Sequence, residues 1–344
     1  MQAFAFAHGP DWRACVDALG RPGRGLGFVY FTDALAGEVD RILDCLKTQT
    51  GVRDWIGSVG TGILATGTEY QGGPALAAMV ADLDAYSVFS GRAPLKANGS
   101  FGVVHADPAA PDLPGLVSDM SAKVGTGYIV GGVSSSRSQT VQIANEVLSG
   151  GLSGAVLGEE VAVATRLTQG CSPYPGRFRV TEGEDNVIAR LDGRPALEVL
   201  LEAVGGERTQ LLVGLPVPGR DTGAHFPDYT ARNILGVDPK AGLVAIGDQV
   251  EPGMEILFCK RDAAAAKKDL EGILSSLKRD APHPRGALYY SCVARGEHMF
   301  GSRGAELGLV KRSLGEVPLV GFFCNGEISR DRLYGYTGVL TVFR

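Results

Sequence analysis

The chain of 344 residues has no run of 18 apolar residues, so the sequence predicts no membrane-spanning helix. Met1 to Pro10 contains neither a basic segment nor a long apolar stretch, and no secretory signal is expected. Lys and Arg number 33 against 38 Asp and Glu, which gives a net charge of −5. Proteins that act on nucleic acids present basic surfaces, so we expect neither a nucleic acid nor a membrane as partner. The expected location is the cytoplasm.

Clustered metal ligands are also missing. No two of the six cysteines form a CxxC pair, and no two of the five histidines lie within four residues of each other. Zinc sites need ligands at short spacing, so no metal is expected. Without a secretory signal the cysteines are expected to be reduced and mostly buried. They are Cys15, Cys45, Cys171, Cys259, Cys292 and Cys324.

The motifs of common catalytic classes are absent as well, since the chain has no HExxH, GxSxG or EF-hand sequence. Gly60 to Ala65 fits GxGxxA, but Thr66-Gly67-Thr68 cannot begin the helix that a dinucleotide site requires. A non-enzymatic protein is therefore expected. The alternative is a thiol-dependent enzyme that uses Cys292 or Cys171, because the partners of a cysteine meet it in space. Arg295 would lower the pKa of a nearby Cys292 thiol.

Glycine, in contrast, is abundant at 49 residues, about twice the usual share. Three segments repeat one pattern of an apolar strand, an amphipathic helix and a second strand that contains glycine. This pattern favours an α/β to α+β fold with mixed β-sheets flanked by helices. We interpret it as a duplication that gives two related halves, although strand–helix–strand units are also generic. The first strands begin at Gly27, Phe101 and Ala287, and the second strands lead into Gly60, Gly131 and Cys324.

The stretch between the second and third segments looks antiparallel. Residues 242–247 and 254–259 read as the two strands of one hairpin, because turn-forming residues separate them. A helix is predicted from Ala263 to Leu277, with Asp262 as its N-cap. Gly205 and Gly206 break a preceding helix over 196–204. The predicted domains are therefore residues 1–205 and 206–344.

Polar side chains follow two apolar strands near the carboxyl terminus. Arg295 comes just after the strand that ends in Cys292, and Asn325 and Glu327 come just after the next strand. If the strands are neighbours, these side chains converge at one edge of a sheet, where α/β folds bind small ligands. An arginine and a carboxylate together suit a zwitterion, because Arg pairs with a carboxylate and Glu accepts from an ammonium. The alternative is a structural Arg295–Glu327 pair that braces two turns.

The same segment carries a family resemblance. Residues 318–328, PLVGFFCNGEI, resemble the hallmark of FIST C-terminal domains, and CVARG at 292–296 resembles a second motif of that domain. DYTARNILGVDP at 228–239 and the Arg261-Asp262 helix start are similar to further parts of it. QGCSP at 169–173, Val180-Thr181 and LDGRPA at 191–196 resemble the FIST N-terminal domain. The resemblance covers residues 25 to 340.

The resemblance implies a bacterial, intracellular sensory module. It is expected to bind a small polar ligand, for which amino acids are candidates, and to signal through a separate partner protein. The matching motifs add Arg232 and Cys171 to the ligand-binding residues Arg295, Glu327, Asn325 and Cys292. Some bacterial relatives bind haem and sense nitric oxide, so haem is the alternative cofactor. Residues 56–60 lack the glutamate-bearing pattern of that branch, and no cofactor is expected. The candidate axial ligands would be His298, His225 and His105.

Overall fold

The computed structural model of the chain describes residues 4–91, 99–207, 210–217 and 228–344. It divides into two compact units, the first formed by Met1–Thr168 with Leu270–Arg344 and the second by Gln169–Asp269. Its mixed sheets and seven α-helices, with 24% helix and 42% strand, confirm the predicted α+β character for the described residues. The predicted family-domain boundary between residues 205 and 206 stays a prediction.

In the first unit, one arrangement of strands occurs three times. Each copy has two parallel strands with a helix between them, then a short hairpin, then a return strand. The first copy comprises β1 (Ala5–Gly9), α1 (Trp12–Ala18), β2 (Leu26–Thr32), a 3-10 helix (Asp33–Glu38), α2 (Val39–Thr50), β3 (Asp54–Gly60), β4 (Gly62–Ala65), β5 (Thr68–Gln71) and β6 (Leu76–Ala81). The second comprises β7 (Tyr86–Phe89), β8 (Phe101–Ala106), α3 (Leu113–Ala122), β9 (Ile129–Val133), β10 (Gln142–Ala144), β11 (Val147–Leu148) and β12 (Leu152–Leu157).

The second unit follows β13 (Val163–Thr168) and is an antiparallel sheet with one helix packed on it. Its elements are β14 (Cys171–Pro173), β15 (Phe178–Glu184), β16 (Val187–Leu191), β17 (Arg194–Pro195), α4 (Ala196–Val204), β18 (Leu211–Pro216), β19 (Tyr229–Asp238), β20 (Leu243–Ile246) and β21 (Glu255–Arg261). α5 (Ala263–Asp280) begins as predicted, because the Asp262 side chain accepts a hydrogen bond from the Ala265 amide.

The predicted hairpin in this unit is wrong, although both of its strands exist. β20 pairs with β19 and β16, whereas β21 pairs with β14, β15 and β18. The tight turn lies earlier in the chain, where the Gly242 amide donates to the Asp238 carbonyl and Gly242 has a φ of 73°. That turn joins β19 to β20, so the turn-forming residues 248–253 connect strands that do not pair with each other.

The third copy in the first unit comprises β22 (Gly286–Cys292), α6 (Glu297–Phe300), α7 (Ala305–Leu314), β23 (Leu319–Cys324), β24 (Glu327–Ser329), β25 (Arg332–Tyr334) and β26 (Gly338–Phe343). The three copies build three six-stranded sheets, each with one central parallel pair and antiparallel strands on both sides. The orders are β1-β6-β2-β3-β10-β11, β7-β12-β8-β9-β24-β25 and β13-β26-β22-β23-β4-β5.

The hairpins exchange between the sheets in a cycle. β4–β5 pair with β23 of the third copy, β24–β25 pair with β9 of the second, and β10–β11 pair with β3 of the first. All three predicted strand–helix–strand segments are therefore present, and each has a sheet of its own. The sequence pattern predicts two related halves, whereas the structure shows three copies, all within the first unit.

Each second strand has a glycine at the same position, where the backbone of the first strand comes very close. A Cβ on Gly57, Gly131 or Gly321 would lie 1.9, 1.7 and 1.7 Å from a carbonyl oxygen of the paired first strand. Real Cβ atoms do not approach that closely, so only glycine permits this backbone contact. The facing carbonyls belong to Val29, Val104 and Tyr289, which are also equivalent positions.

The core lies on both faces of the three sheets. One hydrophobic cluster contains side chains from all three, among them Phe28, Val103, Leu288 and Phe322. On their other faces the sheets are covered by α1 and α2, by α3, and by α5 and α7 respectively. Each sheet is thus buried on two sides, which accounts for the continuous apolar runs in its central strands.

Candidate functional site

Two groups of buried polar residues lie at the carboxyl ends of β22 and β23. Successive residues of a strand project to opposite faces, so Tyr289 and Ser291 point to the helix-covered face, and Tyr290 and Cys292 to the face shared by the three sheets. We call the first group, Glu69, Arg295 and Glu306, the carboxylate cluster. We call the second, Cys292, Cys324 and Glu327, the thiol cluster.

The carboxylate cluster is built around a buried ion pair. Arg295 and Glu306 are fully buried, with the Arg295 Nη2 and Nε atoms 2.7 and 2.9 Å from Glu306 Oε1. The same carboxylate accepts hydrogen bonds from Tyr289 Oη at 2.5 Å, Ser291 Oγ at 3.3 Å and the Gly296 amide at 3.2 Å. A buried ion pair is tolerated only when further hydrogen bonds offset the cost of desolvation, and these donors do so for Glu306. Glu306 meets β22 because α7 turns its apolar stripe toward that strand.

Glu69 on β5 adds a second carboxylate that has no such partners. It is 4% exposed, and neither side-chain oxygen accepts a hydrogen bond from the described residues. Burial raises the pKa of Glu69, and the charge of Glu306 acts in the same direction, whereas the nearby Gly304 amide and Arg303 oppose it. A Cβ on Gly296 would lie 3.3 Å from Glu69 Oε2, which places this carboxylate beside the backbone that follows Arg295.

Arg295 also keeps unused donor capacity. Its Nη1 and Nη2 atoms are buried and make no hydrogen bond of good geometry to the described residues, although Nη2 lies 2.7 Å from Glu306 Oε1. The Arg295 guanidinium lies 5.2 Å above the Phe300 ring. The cluster therefore contains an unused buried donor and an unused buried acceptor on one face of one sheet. Such groups are costly unless a ligand or water completes them.

The thiol cluster lies on the opposite face. Glu327 is fully buried and accepts from Thr337 Oγ1 at 2.7 Å, the Thr337 amide at 3.1 Å and Cys324 Sγ at 3.2 Å. Burial raises the pKa of Glu327 to about 7, despite the opposing effect of these hydrogen bonds. Of the influences that lower this pKa, the charge of Arg295 is weaker than the hydrogen bonds.

The predicted Arg295–Glu327 pair is therefore wrong. Arg295 pairs with Glu306 on one face of the sheet, and Glu327 bonds to Thr337 and Cys324 on the other. Both residues follow neighbouring strands, as predicted, but Arg295 lies in the bend after β22, whereas Glu327 begins β24, which pairs with β9 in the second sheet. Asn325 is exposed and only its backbone amide is engaged, with the Val133 carbonyl. The ligand-binding roles of Arg295, Glu327, Asn325 and Cys292 stay predictions.

Sequence reasoning missed Glu306 and Glu69. Glu306 lies one helical turn before Val310 on the buried face of α7, which was the available signal for a buried acid. Glu69 lies in a short strand between polar neighbours, and no local pattern distinguishes it from a surface glutamate.

The two remaining predicted residues belong to the second unit. Cys171 is buried on β14, its carbonyl accepts from Tyr229 Oη at 2.9 Å, and its thiol hydrogen-bonds with that of Cys259. Arg232 on β19 forms an ion pair with Asp248, with 2.6 Å between Nε and Oδ2. Their roles in ligand binding also stay predictions.

The proposed axial histidines differ in their surroundings. His105 is fully buried on β8, with its Nε2 at 3.0 Å from Tyr30 Oη, which in turn is 2.7 Å from Tyr290 Oη. These three residues occupy equivalent positions in the three first strands. Burial lowers the pKa of His105 to about 3. His105 does not fit a haem ligand, because its ring is fully buried against the rings of Tyr30, Tyr290 and Phe322. His298 is exposed, and His225 lies outside the described residues.

A thiol-dependent enzyme would need a cysteine with a lowered pKa, and Cys292 in the third copy does not have one. Burial is the main cause that raises the pKa of Cys292 to about 12, and Arg295 lowers it only weakly because its charge is engaged by Glu306. Within the described ranges no group of three or more His, Cys, Asp or Glu is placed to hold a metal ion. Among the same residues, no helix is long and apolar enough to cross a membrane.

Comparison with known protein families shows to which class of protein this chain belongs. The FIST N domain model matches residues 25–194, and the FIST C domain model matches residues 196–330. The chain therefore belongs to the FIST family, whose domains are sensory and signal-transduction domains.

Its relatives include uncharacterised mycobacterial proteins. One from Mycobacterium tuberculosis is 35% identical over 217 residues, which is 58% of this chain and 55% of the relative. One from Mycobacterium bovis is 34% identical over 213 residues, again 58% of this chain and 55% of the relative. The chain thus spans about half the length of the curated relatives it matches.

Proposed function

We propose that this protein is a bacterial, cytoplasmic, non-enzymatic sensory module that binds a small zwitterion, such as an amino acid, in the carboxylate cluster. The observation that carries this proposal is the pair of unused buried groups, Glu69 and Arg295 Nη1, on one face of the third sheet. The ligand ammonium would donate to Glu69, and the ligand carboxylate would accept from Arg295 Nη1.

The charge of the cluster supports a ligand with a cationic group. Arg295 is paired with Glu306, so an ionised Glu69 is a second negative charge, which the nearby Arg303 and the Gly304 amide offset only in part. An ammonium would remove the desolvation penalty that raises the pKa of Glu69. The ligand would be small, because Glu69, Arg295 and Glu306 are all buried.

That segment provides a means of entry and of signalling. Gly296, Gly301 and Gly304 all have positive φ, at 56°, 84° and 76°, and they divide the segment into short pieces. A ligand that bonds to Glu69 and Arg295 would fix this segment in one arrangement. A separate signalling protein that reads its exposed residues would then receive the signal, which matches the sensory character of the family.

A thermal-shift experiment tests the proposal. The panel contains amino acids, amines of the same length without a carboxylate, and acids of the same length without an amine. We expect only zwitterions to raise the melting temperature, with about 2.7 kcal/mol of stabilisation at 100 times Kd. E69Q should lose the response, because an amide carries no charge to pair with an ammonium.

The matched control is E271Q, since Glu271 is exposed on α5 and does not belong to the cluster or to the segment 296–304. It should keep the full response. A panel without any stabilising zwitterion, or an E69Q variant that responds like the unchanged protein, would refute the proposed site.

No cofactor enters this proposal. Titration of the purified protein with haem provides the check, and we expect no sharp Soret shift at one equivalent. A saturable shift that His298→Ala removes would replace the zwitterion sensor by a haem sensor.

A further inference from the structure

We propose that Cys292 and Cys324 form a reversible disulfide when the protein is exposed to a hydroperoxide. The inference goes beyond the proposed function and does not rest on it. It starts from the register of the third sheet, in which Cys292 and Cys324 are direct partners in the parallel ladder of β22 and β23.

This register satisfies the main geometric requirement of a disulfide. Neighbouring strands lie about 4.8 Å apart, and disulfides join Cα atoms separated by about 4.4–6.8 Å. Partners in a parallel ladder project to the same face, and both thiols lie on the face shared by the three sheets. The two sulfurs therefore need only rotation about the Cα–Cβ bonds to meet, without movement of a strand.

The two cysteines differ in access and in partners. Cys292 is 7% exposed at the end of its strand, directly before the exposed Val293. Cys324 is fully buried, and its thiol donates to Glu327 Oε1 at 3.2 Å. Cys292 is thus the thiol that a small oxidant reaches first, and Cys324 is the thiol that completes the bridge.

The chemistry balances with one hydroperoxide. The Cys292 sulfur, as thiolate after losing its proton, attacks one peroxide oxygen, the O–O bond breaks, and Cys292 becomes a sulfenic acid. The leaving oxygen takes up a proton and departs as water from hydrogen peroxide, or as an alcohol from an organic hydroperoxide. The Cys324 sulfur then attacks the sulfenic sulfur, the S–O bond breaks and water leaves. Glu327 accepts the Cys324 proton and passes it to the departing hydroxide. Two thiols and one hydrogen peroxide thus give one disulfide and two waters.

The surroundings indicate a slow response. Burial raises the pKa of Cys292 to about 12, so little thiolate is present at neutral pH and the rate should rise with pH. The bridge would also hold the backbone that positions Arg295, because the Val293 amide donates to the Cys324 carbonyl and the Arg295 amide to the Cys292 carbonyl.

Peptide mapping of the unchanged protein tests the proposal without any variant. The full chain is treated with hydrogen peroxide, free thiols are alkylated, and the protein is digested with trypsin. We expect a linked pair of the peptides 286–295 and 313–330, which separates after dithiothreitol. In C324S, a sulfenic-acid trap should label Cys292, and in C292S the linked pair should be absent.

C45S serves as the matched control, because Cys45 is half-buried on α2, and it should form the bridge like the unchanged protein. The proposal is overturned if both thiols remain free while the protein is folded, if Cys292 is oxidised without joining Cys324, or if the only bridge joins Cys171 to Cys259. The last outcome is informative because those two thiols already hydrogen-bond in the second unit.

Discussion

At the scale of single residues, three buried glutamates near the third sheet differ in their chemistry. Glu306 is surrounded by a guanidinium, two hydroxyls and an amide, all of which contact its carboxylate. Glu327 has hydrogen bonds but no ion-pair partner, and only the nearby Gly304 amide and Arg303 favour the charged form of Glu69. The same residue type is therefore an ion-pair partner, a titrating acid and a candidate ligand group.

Glu327 should make stability depend on pH near neutrality. Its pKa is raised from 4.5 to about 7, so the folded state holds the proton more tightly than the unfolded chain. Its stabilising contribution is complete below pH 4.5 and is lost as pH rises through about 7, an effect of about 3 kcal/mol. We expect E327Q to flatten this dependence, because glutamine resembles the protonated acid and does not titrate.

Urea unfolding at pH 5 and pH 8 measures this difference. E271Q, at an exposed position on α5, is the control, and its unfolding free energy should change between the two pH values as much as that of the unchanged protein. An equally large change in E327Q would show that another group is responsible.

At the scale of elements, a close approach of backbones sets the amino acid at one position of each second strand. The close contact between Gly321 and the Tyr289 carbonyl recurs at Gly57 and Gly131, because each second strand pairs in parallel with its first strand in the same register. The three positions therefore share one steric requirement that no larger residue meets.

We predict that G321A is severely destabilised, because its Cβ would lie 1.7 Å from the Tyr289 oxygen. Separating β22 from β23 should cost at least about 3 kcal/mol, at or above the upper end of ordinary overpacking, and should lower the yield of folded protein. Thermal unfolding of purified variants provides the measurement. G73A is the control, since its new Cβ would meet no atom within 4 Å, and a melting temperature for G321A as high as that of G73A would contradict the steric argument.

At the scale of the whole molecule, sequence order and compact units differ. The third sheet takes β4 and β5 from the amino-terminal part of the chain and β22, β23 and β26 from the carboxyl-terminal part. The second unit is contained between the two stretches that form the first. Folding of the first unit thus needs residues from both of its stretches.

This organisation predicts that neither predicted domain is stable alone. Residues 206–344 lack β4, β5 and β13 of the third sheet, and residues 1–205 lack the hairpin that pairs with β9. We expect each fragment to unfold without cooperativity when circular dichroism is followed against temperature, and co-expressed fragments to recover a cooperative transition. Cooperative unfolding of 206–344 by itself would show that the exchanged hairpins are dispensable.

The sequence by itself determined the local features of this protein. Hydrophobic periodicity located the three strand–helix–strand segments, the helix after Asp262 and the helix over 196–204, because these depend on neighbours in the chain. The motifs at 292–296 and 318–328 indicated the FIST family, and they marked the strand ends where buried polar residues occur.

Only the tertiary structure decided which of these residues meet. The bend after β22 brought Arg295 to Glu306, while Glu327 joined the second sheet on β24. Glu306 and Glu69 reached the Arg295 face from a helix and a strand that the motifs do not include. Pairing between strands distant in sequence, such as β4 with β23, has no local signal, since the pairing of a strand depends on the elements packed beside it. The cyclic exchange of hairpins, which makes three sheets interdependent, is for this reason a property of the fold alone.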